Sequence, residues 1–403
     1  MKILLLKTPG PSPINHIWGS LRAILGSDNF IEYPYDPFLH CKRIDNRLVA
    51  INAKGSIVAY EVHGGLMRSR YSSHIFPRAW CVESDRDQVQ RDFDLQEFDL
   101  ILIDNPFDDF GRTSKAIEEI LRRSIGRIPI VVADRYDDPL LRALYLVKGV
   151  ILLKREILRN PLDLIKMPHL AKAILSFRSP IIRYNLSLAF RSWVHTSLGI
   201  WQINGVIPSK LARIVGVAFD NPWLRSFNLS FWDHGCLSKE KEKDYDVSFI
   251  ANLTNPLRRS TYEALMRLSK KRDLKIFVHL GRDPSKLNIP YSTYVDIISR
   301  SKISVSAPGA GFDTYRYWEI PCLGSALASW EPWIRIDNNF VNRESAIFFR
   351  DVNEMISKIL WALKTGAWED IARKGREWFL KHHTPLQRAR ALLRIAEEIY
   401  RSS

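Results

Sequence analysis

Ser304-Val-Ser-Ala-Pro-Gly-Ala-Gly-Phe-Asp-Thr-Tyr-Arg-Tyr-Trp-Glu319 reads as a short apolar strand, a glycine-containing loop and the first turns of a helix. Pieces in that order make an anion site. Gly309 and Gly311 let the backbone approach a ligand closely, and the helix that follows offers unpaired N–H groups and the positive end of its dipole. Asp313 or Thr314 stands where an N-cap belongs. Arg316 and Glu319 are three residues apart and so share one helix face. A guanidinium there can meet a diphosphate while a carboxylate accepts hydrogen bonds from ribose hydroxyls. The alternative is a plain strand–helix turn carrying an i,i+3 ion pair.

Outward from this stretch, strand-like apolar runs alternate with helical periodicity. Residues 245–250, 274–279 and 303–306 are expected strands, and 258–271, 291–301, 314–323 and 352–364 expected helices, which together make a β-α-β domain. Toward the N-terminus, strands are expected at 3–6, 100–104, 128–133 and 150–153, with a helix over 113–123. Arg47–Ile51 and Ser56–Val62 flank Asn52-Ala-Lys-Gly55 as an inserted hairpin does. The polar run that starts at Ser238 marks a linker, so the expected division is 1–225, a linker over 226–243, and 244–403. A last helix from about Leu386 carries Leu392, Leu393, Ile395, Ala396 and Ile399 in one apolar stripe, and is expected to cross back onto the first domain.

A chain of 403 residues is long for one core, and its composition, 46% hydrophobic and 26% charged, is globular. The four apolar residues after Lys2 are too few for a leader or a span, and charges interrupt every longer apolar run. Cys41, Cys81, Cys236 and Cys322 form no C-x-x-C pair, so neither a disulfide framework nor a zinc knuckle is indicated and a reducing, cytoplasmic setting fits. The net charge of +15 is uneven, with ten Lys/Arg against two acids over residues 141–200. Such a field draws phosphates without choosing among nucleotide, nucleic acid and membrane. Residues 154–195 interleave basic and aromatic side chains, which allows a peripheral membrane contact or plain amphipathic helices.

Four pieces in order resemble CgeB-like (spore-maturation-type) glycosyltransferases, whose C-terminal domain is similar to the exostosin type. They are Val150-Ile-Leu-Leu-Lys-Arg-Glu156; Asp246-Val-Ser-Phe-Ile-Ala-Asn252 with Arg258-Arg259; Pro308-Gly-Ala-Gly311 with Arg316-Tyr-Trp-Glu319 and Gly324; and His383-Thr384 with Arg388-Ala389. The resemblance implies a GT-B enzyme, two Rossmann-like α/β domains facing a central cleft, the first on the acceptor side and the second holding a nucleoside-diphosphate sugar. It implies no cofactor and no metal. Asn252, Arg258 and Arg259 then follow the strand beside the diphosphate, and Gly281 and Arg282 end the next strand near the base. The acceptor stays open among glycan, protein, lipid-linked and nucleic-acid molecules.

The pattern departs from retaining enzymes with Glu-x7-Glu, because Gly311 stands where the first glutamate belongs. An inverting mechanism needs a general base, and the candidates are His63, Asp109 and Asp138, with Asp108, Asp134 and Asp137 beside them. Asp-x-Asp pairs at 85/87, 92/94 and 244/246 lie in charged stretches and read as solvated acids. The competing function is a non-catalytic double-Rossmann protein that binds nucleic acid or anionic lipid headgroups through its basic face.

Overall fold

The computed structural model describes residues 1–7, 15–26, 28–33, 40–45, 47–51, 57–62, 66–69, 75–77, 82–83, 94–104, 120, 123–124, 127–134, 150–154, 159, 224–226, 241–253, 256–271, 273–281, 289–309 and 311–400. The chain divides into two compact units. The first comprises Met1–Leu229, Trp333–Arg335 and Ala389–Ser403; the second comprises Ser230–Pro332 and Ile336–Arg388.

The first unit is built on a parallel sheet of β1 (Ile3–Lys7), β2 (Phe30–Tyr33), β9 (Leu100–Asp104), β10 (Ile130–Asp134), β11 (Val150–Lys154) and β12 (Leu224–Ser226). Their order is β12-β11-β10-β9-β1-β2. Strands covered on both faces carry near-continuous apolar runs, and Leu100–Asp104 is buried at every position. Ile17, Trp18 and Leu21 on helix α1 (Asn15–Leu25) join Ile3, Leu5, Leu102 and Val131 in one core. Between β2 and β9 lies a second six-stranded sheet of β3 (His40–Ile44), β4 (Arg47–Ile51), β5 (Ile57–Val62), β6 (Leu66–Ser69), β7 (Ile75–Pro77) and β8 (Val82–Glu83), ordered β7-β6-β5-β4-β3-β8. The expected hairpin is its antiparallel β4–β5 pair, with an irregularity at Ala50/Ile51. The insertion is therefore larger than a hairpin: strands as short as Val82–Glu83 leave no alternation to read.

The second unit repeats the parallel plan with β13 (Tyr245–Asn252), β14 (Ile276–Gly281), β15 (Ser301–Ser306), β16 (Ala326–Trp330) and β17 (Ile347–Phe349), ordered β14-β13-β15-β16-β17. Its helices are α2 (Pro256–Lys271), α3 (Tyr291–Ser299), α4 (Tyr315–Cys322), α5 (Val352–Thr365) and α6 (Ala367–His382). β15 divides its side chains by parity. Ile303 and Val305 enter the apolar core, while Ser304 Oγ lies 2.8 Å from both Ser248 Oγ and Ser325 Oγ, so the buried hydroxyls satisfy one another. Asp351 caps α5 by accepting from the N–H groups of Asn353 and Glu354, each at 2.9 Å. Gly366, at φ +74°, ends that helix in the left-handed conformation and lets α6 begin at once. Gly375 inside α6 is also required, because a Cβ there would stand 2.7 Å from the Ser345 carbonyl oxygen.

Cys322, at the end of α4, is disulfide-bonded, which corrects the reading of four unpaired cysteines. Scattered spacing carries no information about which thiols folding brings together. The expected helix over 113–123 lies almost wholly outside the described residues. No helix among the described residues is long and apolar enough to cross a membrane.

Helix α7 (Pro385–Tyr400) starts in the second unit and continues in the first. Its Ala389, Leu392 and Ala396 are buried in the same cluster as Ile3, Trp18 and Leu100. Leu392 is 1% exposed. Leu392→Ala should therefore lower the unfolding free energy by about 2–5 kcal/mol, read from guanidinium denaturation. A loss below about 0.5 kcal/mol contradicts burial of this helix in the first core.

Candidate functional site

In the second unit β13 pairs with β14 on one side and β15 on the other, so the strand order reverses at β13. Ligands of open parallel sheets bind beyond the carboxyl ends of the strands at such a reversal, because the loops there diverge to opposite faces and leave a crevice. The two loops concerned follow Asn252 and Ser306. Arg258, on the first turn of α2, ties them together: its Nε donates to the Pro308 carbonyl at 2.8 Å and its Nη1 to the Asn252 carbonyl at 2.9 Å. Only 7% of Arg258 is exposed. A Cβ on Gly309 would come within 2.9 Å of Arg258 Nη2, so glycine here serves the close passage of the guanidinium over the loop. Gly309 N–H in turn donates to the Gly311 carbonyl at 2.8 Å.

Helix α4 follows this loop. Thr314 occupies its N-cap position in extended conformation without a side-chain capping bond. Buried Asp313 accepts from Trp318 Nε1 at 2.6 Å, turning its carboxylate inward. The sequence offered either residue as a cap; the Asp313 side chain braces the helix from below. Arg316 and Glu319 lie one turn apart, yet among the described residues they form no ion pair. The Glu319 carboxylate, 4% exposed, instead accepts a hydrogen bond at Oε2 from the Tyr294 hydroxyl on α3. Burial, and then the Glu319 charge, push the Tyr294 hydroxyl well above its ordinary range and keep it a donor. Arg316 Nε and Nη1 are buried with no hydrogen-bond partner among the described residues. Each such N–H costs about 1–3 kcal/mol until an acceptor arrives.

Behind α4, Trp318 is flanked by the His383 ring at 4.5 Å and the Arg388 guanidinium at 4.6 Å. His383 Nε2 lies 2.8 Å from the Asn338 carbonyl oxygen, an arrangement that calls for the Nε2–H tautomer. Burial and then the neighbouring Arg388 charge lower His383 to about 3, opposed by the hydrogen bond to the Asn338 carbonyl and aided least by His382. The His383/Arg388 piece of the sequence thus folds as a neutral imidazole and a buried cation packed against one indole.

The structure brings together Asn252, Arg258, Gly309, Gly311, Asp313, Thr314, Arg316 and Glu319, and ends β14 beside Asn252 at Gly281. Arg259 is exposed. Tyr294 was missed, since a partner 25 residues from Glu319 on another helix leaves no trace in local spacing. Arg282, His63, Asp108, Asp109, Asp137 and Asp138 lie outside the described residues, as does the side chain of Asp134. So does residues 154–195 apart from Lys154 at the end of β11 and Arg159, whose N–H donates to the Trp333 carbonyl at 2.7 Å. Asp244 pairs with Arg300, and Asp246 with Lys302 at 2.7 Å, so this Asp-x-Asp is held in ion pairs.

A protein-family model described as glycosyl transferase-like matches residues 258–394, a span that opens on Arg258 and contains the loop, α4 and the His383/Arg388 piece. No curated protein sequence matches the chain. Among solved structures, sucrose-phosphate synthase from Thermosynechococcus elongatus aligns at 10% identity and TM-score 0.48, covering 100% of both chains. A glycosyltransferase from Rickettsia africae aligns at 9% identity and TM-score 0.46, covering 100% of this chain and 99% of that one. Anabaena HepE in complex with UDP aligns at 10% identity and TM-score 0.42, covering 99% and 100%.

The pH dependence of stability tests the back of the site. An exposed histidine in the unfolded chain titrates at about 6.5, whereas in the native protein His383 is pushed down to about 3. Between those values only the unfolded chain binds the proton, so its contribution is complete above pH 6.5 and is lost as pH falls. His383→Gln should flatten the stability profile below pH 6, removing a slope approaching about 1.4 kcal/mol per pH unit. Parallel profiles for the two proteins contradict a buried neutral imidazole.

Proposed function

We propose that the second unit binds a nucleoside-diphosphate sugar and that the protein is a GT-B glycosyltransferase of CgeB-like type, acting on an acceptor that the residues do not specify. The observation that carries this reading is Arg316: two buried guanidinium nitrogens without an acceptor among the described residues, at the start of a helix, beyond a strand-order reversal, inside the segment that matches a glycosyl transferase-like family. A diphosphate supplies the missing acceptors. In transfer, the bond from the anomeric carbon to the diphosphate breaks and negative charge gathers on the leaving phosphate; fixed N–H donors stabilise that charge without reorganising. Arg316 and the N-terminal turn of α4 supply it here, with no metal required. Glu319, whose Oε2 accepts from the Tyr294 hydroxyl, is the carboxylate assigned to the ribose hydroxyls. Arg258, held by two carbonyls, shapes the loop and stands behind the phosphates.

For the acceptor, the reading keeps an inverting reaction in which His63, Asp109 or Asp138 of the first unit takes the hydroxyl proton. Loss of the true base should slow turnover about a hundredfold or more and leave donor affinity nearly unchanged.

A melting panel with UDP, GDP and ADP in EDTA tests the donor site. One of them should raise the melting temperature, and Arg316→Ala should weaken its binding by about 1.5–3 kcal/mol. Glu319→Ala should cost a similar amount for the nucleotide. No stabilisation by any of the three, with tight salt-sensitive binding of RNA or DNA, overturns the reading in favour of a non-catalytic nucleic-acid binder.

A further inference from the structure

Cys322 closes helix α4, is 1% exposed and is disulfide-bonded. Its partner must be Cys41, Cys81 or Cys236. A disulfide joins only residues whose Cα atoms stand within about 7 Å of each other, so position decides among the three. In a parallel sheet the helices run back toward the edge where the strands begin, and Cys322 accordingly comes just before Ala326, the first residue of β16. Ala326 is level with Ile303 on β15, and Ile303 with Val247 on β13, so the end of α4 and the start of β13 lie at one edge of the sheet. The chain entering β13 is tied down there. Lys243 Nζ donates to the carbonyls of Gly324 and Ser299, at 2.6 and 2.8 Å, Asp244 pairs with Arg300, and Lys241 pairs with Asp296 at 2.7 Å. Gly324 is two residues past Cys322, and Cys236 is seven residues before Lys243, a stretch that reaches up to about 23 Å. Cys41 and Cys81 belong to the first unit, whereas Cys236 belongs to the second with Cys322.

We propose that Cys236, which lies outside the described residues, and Cys322 form a disulfide that closes the chain from β13 through α4 into a covalent ring, so that the redox state of the surroundings sets the stability of the part of the second unit that carries Arg258, Gly309, Arg316 and Glu319. A bond across so long a loop removes many extended conformations from the unfolded chain and few from the native one. Reduction by a dithiol delivers two electrons and two protons, splits the S–S bond into two thiols and leaves the dithiol as a cyclic disulfide. Glutathione disulfide reverses the step and departs as two glutathione thiols. The bond sits at the edge of the sheet opposite the carboxyl ends of β13 and β15, where Asn252 and Ser306 stand, so opening it lowers stability without removing any group of the candidate site. None of this depends on what that site binds.

Thiol mapping and melting together test it. The full chain is equilibrated with glutathione disulfide, its remaining thiols are alkylated, and its unreduced peptides are read by mass spectrometry: the fragments bearing Cys236 and Cys322 should appear joined. Cys322 recovered alkylated, bound to glutathione, or joined to Cys41 or Cys81 overturns the proposal, and this arm needs no variant to fold. Dithiothreitol should then lower the melting temperature of the oxidised protein by about 5–15 °C. Cys236→Ser should melt at the lowered temperature from the outset and fall no further with dithiothreitol, whereas Cys41→Ser and Cys81→Ser should keep the full fall. A melting temperature that stays within about 1 °C while mapping shows the bond opened, or a fall that persists in Cys236→Ser, also overturns the proposal.

Discussion

The guanidinium of Arg258, held between the carbonyls of Asn252 and Pro308, is the interaction on which the candidate site depends. Parallel strands end in loops that have no reason of their own to keep a fixed separation. A planar cation with diverging N–H groups supplies one, because satisfying both carbonyls at once fixes where the two loops sit. Gly309 follows as a steric consequence, and the direction in which the chain enters α4 follows from the loop. Removing one partner would leave a buried cation or a buried carbonyl unpaired, so the arrangement resists piecemeal change.

Helix α4 separates two treatments of buried charge. On its inner side, Arg388 and neutral His383 flank Trp318, and Asp313 holds the indole N–H. The face bearing Arg316 and Glu319 is organised differently: one carboxylate oxygen is engaged by Tyr294, and two guanidinium N–H groups have no partner among the described residues. Folding proteins rarely leave such groups unmet, and functional sites are where they do.

Much of the second unit was legible in the sequence because its signals are local. Tyr245–Asn252 has a largely apolar centre of strand length and Ser301–Ser306 alternates polar with apolar from Ile303 on, α5 has an aspartate cap and a terminal glycine, and the glycine loop between strand and helix names its own geometry. β16 was not legible: Ala326-Leu-Ala-Ser-Trp330 is made of small residues with little strand preference, and only burial between β15 and β17 makes it a strand. Helix α6 carries an internal glycine whose need is set by Ser345, thirty residues earlier, a requirement that no local pattern states. In the site, the residues of α4 could be named from spacing and the Arg258 position from the family resemblance, whereas their partners could not. Tyr294 with Glu319, Asp313 with Trp318 and Arg258 with Pro308 are pairings of tertiary structure, and no window of sequence contains the reason for choosing among acids and donors of the right type.

The central claim is that the buried Arg316 N–H groups meet a diphosphate. Nitrogen-15 spectra of arginine-labelled protein, with Arg316→Lys identifying the resonance, test it directly. Saturation with UDP, or with whichever of GDP and ADP binds, should shift the Arg316 Nε–H signal downfield and slow its exchange with water, as a new charge-assisted hydrogen bond requires. Saturable nucleotide binding that leaves this resonance where it was contradicts the account.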